Sequence, residues 1–376
     1  MKYPPRCRNL FVGLLCLAFY LLPSAYGQRD DPVDAEEQFN LAVDYKEGRG
    51  VPQNEAEALK WFQKSADQGY DKAQCVLGSL YFAGMGVPKN YALSLTWWHK
   101  AAEQGNTVAM LNMASFHMGG AGMPRSMSEV VKWTKKAAEL GDAEAQYYVG
   151  GFFYTGNEVV ARNPAEAVKW WRKAVEQGNP NAQYNMGVLY RDGPLGDKNY
   201  TEAVEWWRKA AEQGHPLAQY SLGQSYENGN GVKQDYAEAA AWYLKAAEQG
   251  DSVAQTRIAK FYWHGIHVEK NKDEAFKWHK KAADQGDADS QQEVGSCYLL
   301  GVVVAKDDAE AVKWFRKAAM QGLAPSQCYL AACIENGKGT PKNMAEALYW
   351  YKRAAAQGEP EAVKAVERLA PPKHKW

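Results

Sequence analysis

Hydrophobic and polar positions along this chain keep a helical beat that restarts at a fixed interval. Ala218, Leu222, Gly223 and Tyr226 fall at three- to four-residue spacing and form one stripe of small and large side chains. Gly229-Asn230-Gly231-Val232 breaks that helix. Asp235 opens a second helix, whose apolar face carries Ala239, Trp242, Tyr243 and Ala246, with Lys245 near its end and Gln249-Gly250 as its stop. The pattern predicts two antiparallel helices joined by a tight turn.

The same unit recurs along the chain. A Gln-Gly or Leu-Gly pair closes an alanine-rich, basic stretch nine times, with its glycine at Gly69, Gly105, Gly141, Gly178, Gly214, Gly250, Gly286, Gly322 and Gly358. Seven of the eight intervals are 36 residues and one is 37, the extra residue falling between Gly156 and Asn163. Such a period marks a repeat architecture, in which one unit cannot bury its apolar face alone and neighbours must stack.

Capping chemistry fixes the helix ends. The second helix opens on Asn54, Asn90, Ser126, Asn163, Asn199, Asp235, Asn271, Asp307 and Asn343 in turn, residue types that accept a hydrogen bond from an orphan backbone N–H. A glutamate stands three places on in eight of the nine units, Leu93 being the exception, which predicts a reciprocal capping box. Pro164 takes the first helical position, and the closing glycines suit a left-handed C-cap. Tryptophan occupies one register in every second helix, from Trp61 through Trp206 and Trp242 to Trp350. A buried core ring once per repeat is expected of it, with the first-helix alanines and glycines such as Gly223 leaving room.

The pattern A-Q-x-x-L-G-x-x-Y-x-x-G-x-G-V followed by N/D-x-x-E-A-x-x-W-x-x-K-A-A-E-Q-G is nearly intact from Ala218 to Gly250. It resembles the Sel1-like repeat family of tetratricopeptide-like proteins over about residues 34 to 370. The resemblance implies an all-α, right-handed superhelical solenoid of about nine antiparallel hairpins, first helices on the concave side and second helices outside. It implies adaptors and scaffolds; exported bacterial members serve envelope assembly, regulate envelope proteins or meet host molecules. One cysteine-rich branch, proposed to act on penicillins, staples each repeat with a disulfide, and this chain lacks that regular pair.

The ends depart from the repeat. Lys2, Arg6 and Arg8 precede an apolar run from Leu10 to Leu22, then Pro23 and Ala25-Tyr26-Gly27. This predicts a secretory signal over residues 1–27 with cleavage after Gly27, and hence a periplasmic or secreted protein. The rival is an uncleaved anchor, for which 13 apolar residues are short. Residues 28–370 form the expected solenoid, its last piece a single capping helix from about Glu359 to Leu369, and 371–376 form a tail. Beyond the signal remain Cys75, Cys297, Cys328 and Cys333, whose spacing does not recur, so they read as packing residues. Lys+Arg and Asp+Glu both number 44, which argues against a general nucleic-acid binder.

Enzymatic signatures are missing. No serine has a lysine three residues on, no glycine loop is followed by Lys-Ser/Thr, and there is no His-Glu-x-x-His. His264 and His267 with Glu269 sketch a metal site, but His267 stands where other units have a turn glycine and reads more simply as a drifted loop position. No cofactor, metal site or catalytic residue is expected. Positions two and nine places after the first-helix alanine lie away from the inward stripe, toward the groove. They supply the candidate binding residues Tyr147, Tyr184 and Tyr220, and Tyr154, Arg191, Glu227 and Trp263, within the central helices from Ala145 to His264. Tyrosine, tryptophan and arginine are common interface anchors, although such rings can equally serve to cover neighbouring helices. The expected function is an exported scaffold for a protein or peptide, with a peptidoglycan or other glycan strand as the alternative ligand and, last, an enzyme acting on β-lactams, which no residue set here supports.

Overall fold

The computed structural model describes residues 33–119, 124–193 and 196–369. The expected signal segment and the 371–376 tail lie outside the described residues, and so does the cleavage point at Gly27. Nineteen α-helices and no strand occur among the described residues, as the repeat predicts.

The chain divides into two compact units, one up to Met186 and one from Gly187. The first contains the hairpins α1 (Ala35–Glu47) with α2 (Glu55–Asp67), α3 (Asp71–Ala83) with α4 (Tyr91–Glu103), α5 (Thr107–Gly119) with α6 (Met127–Glu139), and α7 (Ala143–Thr155) with α8 (Pro164–Glu176). The division falls within α9 (Pro180–Asp192), which is followed by α10 (Tyr200–Glu212). The second unit goes on with α11 (Pro216–Asn228) and α12 (Tyr236–Glu248), α13 (Ser252–His264) and α14 (Lys272–Asp284), and α15 (Ala288–Leu300) and α16 (Asp308–Met320). It ends with α17 (Ala324–Asn336), α18 (Met344–Ala355) and the unpaired α19 (Pro360–Leu369). Within each unit, helices adjacent in sequence pack on each other.

All nine predicted N-caps form, from Asn54 Oδ1 accepting from Glu57 N at 3.1 Å to Asn343 Oδ1 accepting from Glu346 N at 3.1 Å. The reciprocal half of the expected capping box does not. The cap residue's own N–H donates to the first helix of its hairpin, as Asn271 N does to Tyr262 O at 2.9 Å and Asp235 N to Tyr226 O at 3.0 Å. Antiparallel pairing brings that carbonyl to the donor first, and the glutamate turns to a lysine three places on, as in Glu310–Lys313 and Glu166–Lys169, both at 2.8 Å. The closing glycines all take positive φ, between 80° at Gly178 and 99° at Gly286, so a side chain there would be strained.

Two aromatic columns build the core. The recurring tryptophan joins the hairpin before its own: Trp97 packs into the cluster of α1 to α3, and Trp278 into that of α11 to α13. It is buried in every repeat except at Trp206, which is half-buried. A lysine one turn on lies over most of these rings, as Lys64 over Trp61 at 3.7 Å and Lys317 over Trp314 at 3.8 Å, a cation–π contact that seals the ring's outer face. The first-helix glycines receive a different ring from the one expected. A Cβ at Gly150 would lie 2.4 Å from Trp171, and one at Gly223 would lie 2.8 Å from Tyr243. Each of these rings is the residue after the recurring tryptophan, aimed into its own hairpin because one position along a helix turns a side chain by about 100°. No disulfide forms among the described residues, and Cys75, Cys297 and Cys333 are buried among the helices. Among the described residues no helix is long and apolar enough to cross a membrane.

Candidate functional site

Each candidate binding residue sits on a first helix and is half-buried. In the first unit, Tyr147 and Tyr154 of α7 gather around Trp171. The Tyr147 carbonyl accepts from Trp171 Nε1 at 3.0 Å, and the Tyr154 ring lies 5.3 Å from the Trp171 indole. Tyr147 also meets the ring of Tyr148 at 5.1 Å. These rings roof the hairpin while leaving an edge exposed, so covering and presenting are both served by the same side chains. Tyr184 lies half-buried on α9.

In the second unit the structure brings Tyr220 and Glu227 into one cluster. The Tyr220 ring lies 5.5 Å from that of Tyr243, and the Tyr243 hydroxyl donates to Glu227 Oε2 at 2.5 Å. Arg257, on the next first helix, places Nη1 3.8 Å from Glu227 Oε1 and also faces Tyr220. Burial, and then the hydrogen bond to Glu227, push the Tyr243 phenol above its ordinary range, so it stays a donor. The Glu227–Arg257 pair is loose and partly wet, a geometry that leaves the guanidinium able to exchange partners. Trp263 stands one helix along with Lys272 Nζ 5.2 Å over its ring. Arg191 is held by its neighbour Asp192, Nε to Oδ1 at 2.7 Å, and lies 5.9 Å over Trp207.

Tyr243 and Arg257 belong to this site, and helical periodicity alone did not single them out. Tyr243 reads as a core residue by spacing, and Arg257 meets Glu227 only because the repeats stack. Their signal was a charge and a phenol in neighbouring repeats, which has meaning once the register is known.

His264 and His267 do not converge on a ligand site. His267 takes a positive φ of 50°, and its ring stacks on Tyr236 at 5.4 Å with 16° between planes. Val303, one repeat on, also has positive φ, at 72°, so the drifted-turn reading accounts for this position. Among the described residues no group of three or more His, Cys, Asp or Glu is placed to hold a metal ion. His279 is buried, its Nδ1 3.0 Å from Ser290 Oγ, and burial, with Lys260 nearby, lowers its pKa to about 4. It packs as an uncharged ring.

The geometry is matched by comparisons with known proteins. The model of the Sel1 repeat matches nine times, over 38–70, 71–106, 107–142, 143–179, 180–215, 216–251, 252–287, 288–323 and 324–359. The chain is similar to the solved structure of c5321, a protective antigen present in uropathogenic Escherichia coli strains displaying an SLR fold. It is 34% identical to it, with a TM-score of 0.72 over 89% of this chain and 72% of that one. It is also similar to a Sel1 repeat protein from Oxalobacter formigenes, at 28% identity and a TM-score of 0.61 over 95% of this chain and 99% of that one. No curated protein matches the sequence.

Proposed function

The chain belongs to the Sel1 repeat family of helical scaffolds, typically non-enzymatic and generally engaged with other proteins, and on that premise we propose that it is an exported scaffold holding an extended polypeptide. The observation that carries this reading is the cluster on the first helices of the second unit. Tyr220, Glu227 and Arg257 combine an aromatic ledge with a loosely paired acid and base. A polypeptide laid across such a face gains ring contacts from the tyrosine and can take over either charge, which suits selective rather than nonspecific binding.

Export rests on the basic start and apolar run of residues 1–27. The likeness to a protective antigen of Escherichia coli favours a role outside the cytoplasm, in the envelope or against a host. The test is capture of envelope proteins by the purified chain and by a Tyr220→Ala/Arg257→Ala variant of equal helicity. Loss of the captured set in the variant supports the reading. An unchanged set removes the first-helix face of the second unit from it, and binding of muropeptides in place of proteins replaces polypeptide by glycan.

A further inference from the structure

The last hairpin repeats the Tyr220 cluster with its tyrosine left out. Residues 108 positions apart occupy the same register in α11–α13 and α17–α19, since no insertion intervenes. Glu227 and Tyr243 correspond to Glu335 and Tyr351, and the bond is kept: the Tyr351 hydroxyl donates to Glu335 Oε2 at 2.9 Å. An arginine again meets that glutamate from the helix that follows the hairpin, here Arg368 of α19 with Nη2 2.9 Å from Oε2. The side chains above it have changed. Tyr220, Gln224 and Arg257 correspond to Cys328, Ala332 and Ala365, and all three small residues line a cavity of about 490 Å³. The cavity is therefore the space that a tyrosine, a glutamine and an arginine fill three repeats earlier.

We propose that this cavity receives an aromatic side chain of a partner polypeptide, seated against Tyr351 as Tyr220 is seated against Tyr243, with a Lys or Arg beside it in the partner sequence. The proposal rests on the polypeptide-holding reading above and names a subsite for it. The walls suit a ring. Tyr329 is 44% exposed beside the opening and is itself held by stacking on Phe315 at 5.2 Å. The floor is made of small side chains and the Tyr351 ring, so a flat apolar group gains contact without displacing a bonded one. Charge selects what flanks it. Glu359 and Glu361 line the cavity with Lys364 and Arg368, and both cations are already engaged, Lys364 with Glu361 at 2.8 Å and Arg368 with Glu335 at 2.9 Å. Glu359 stands without an arginine or lysine bonded to it in this group, and with Glu361 it adds to the burial that pushes the Cys328 thiol up to about 11. The residual field at the mouth is negative and favours a basic neighbour.

The full chain is titrated with three blocked dipeptides, acetyl-Arg-Tyr-amide, acetyl-Arg-Phe-amide and acetyl-Arg-Ala-amide. Binding is followed by chemical-shift changes and by the rate of Cys328 alkylation with N-ethylmaleimide, mapped by mass spectrometry. The aromatic dipeptides should bind at least fivefold more tightly than the alanine one and slow Cys328 alkylation at least fivefold at saturation. Cys328→Tyr restores the side chain seen three repeats earlier, so it keeps the fold, and it should abolish the chemical-shift changes and the preference for the aromatic dipeptides. Lys277→Ala, on a surface outside both clusters, should leave binding and the slowed alkylation unchanged, and capture of envelope proteins by Tyr220→Ala/Arg257→Ala tests the wider face by itself, so failure of this subsite and failure of that reading are told apart. Equal affinity for the alanine dipeptide, or undiminished binding to Cys328→Tyr, would overturn the proposal. So would binding seen only after removal of residues 371–376, or dimerisation through this end, since another segment would then be the occupant.

Discussion

Gln249 Nε2 donates to Gln219 Oε1 at 2.7 Å, joining the end of a hairpin to the start of that same hairpin's first helix. Gln249 also donates to Gly214 O at 2.9 Å, and Gln219 passes the chain on through its own Nε2 to Ala211 O at 3.2 Å. The same link recurs between Gln74 and Gln104 and between Gln146 and Gln177 in the first unit, and between Gln291 and Gln321 in the second. Each amide pair lies within one hairpin, and its outward bonds, as to Gly214 O and Ala211 O, tie that hairpin to the end of the one before. Where the closing glutamine is replaced by Leu140, the partner register holds Met110, so both amides are exchanged together and neither is left unsatisfied.

That exchange predicts non-additive stability. Gln219→Met alone should destabilise by about 1–3 kcal/mol, the cost of unsatisfied buried hydrogen-bonding groups. Gln219→Met with Gln249→Leu, copying Met110 and Leu140, should recover part of it, with a coupling of about 0.5–2 kcal/mol in a double-mutant cycle. Denaturant midpoints of the four chains measure it, and simple additivity would show that the amide pair is not a unit.

Gly150→Ala should be among the more damaging small substitutions, since its Cβ would lie 2.4 Å from the Trp171 ring. Overpacking of this kind costs about 1–3 kcal/mol. The repeat before carries Ala114 against Thr134 in the same register, so adding Trp171→Thr should relieve the clash, though at the loss of the ring's own burial. The expected signature is that Gly150→Ala destabilises the Trp171→Thr background much less than the wild type, read from thermal midpoints.

Asn271→Ala should cost about 1 kcal/mol, the usual value of an N-cap. Glu274→Ala should cost less, about 0.5 kcal/mol or under, because Glu274 pairs on the surface with Lys277 at 3.1 Å. Asn271 N is already satisfied by Tyr262 O. Equal losses from the two substitutions would restore the reciprocal capping box.

Acid should destabilise the chain through His279, which is buried, and His215, which is half-buried. Burial lowers His279 and His215 from 6.5 to about 4 in the folded state. The unfolded chain therefore binds these protons first as pH falls. Their contribution is fully present above pH 6.5 and is lost between pH 6.5 and about 4, at up to about 1.4 kcal/mol per pH unit for each histidine. His279→Phe, a ring already used in this register at Phe62 and Phe315, should flatten the slope of stability against pH in that window. A slope unchanged by the substitution would place the acid sensitivity elsewhere.

The sequence by itself determined the helices, their ends and their number per repeat. Those depend on local chemistry: the caps from Asn54 to Asn343, the positive φ that Gly250 and its counterparts supply, and the 3.6-residue stripe all act within one hairpin. Composition and motifs likewise pointed away from phosphate-binding and zinc-protease chemistry. Tertiary structure decided which side chains meet across a hairpin and between hairpins. Nothing local says that Gln249 reaches back 30 residues to Gln219, that Gly223 makes room for Tyr243 and not Trp242, or that Asp235 N bonds to Tyr226 O and leaves Glu238 unneeded. The same holds for function. Tyr220 and Glu227 were legible as groove positions, but Tyr243 joined them only through the pairing of α11 with α12, and Arg257 only through stacking of the next repeat. The empty place over Tyr351 appears only when two repeats are compared in space, because a cavity is a property of three helices together and of no single one.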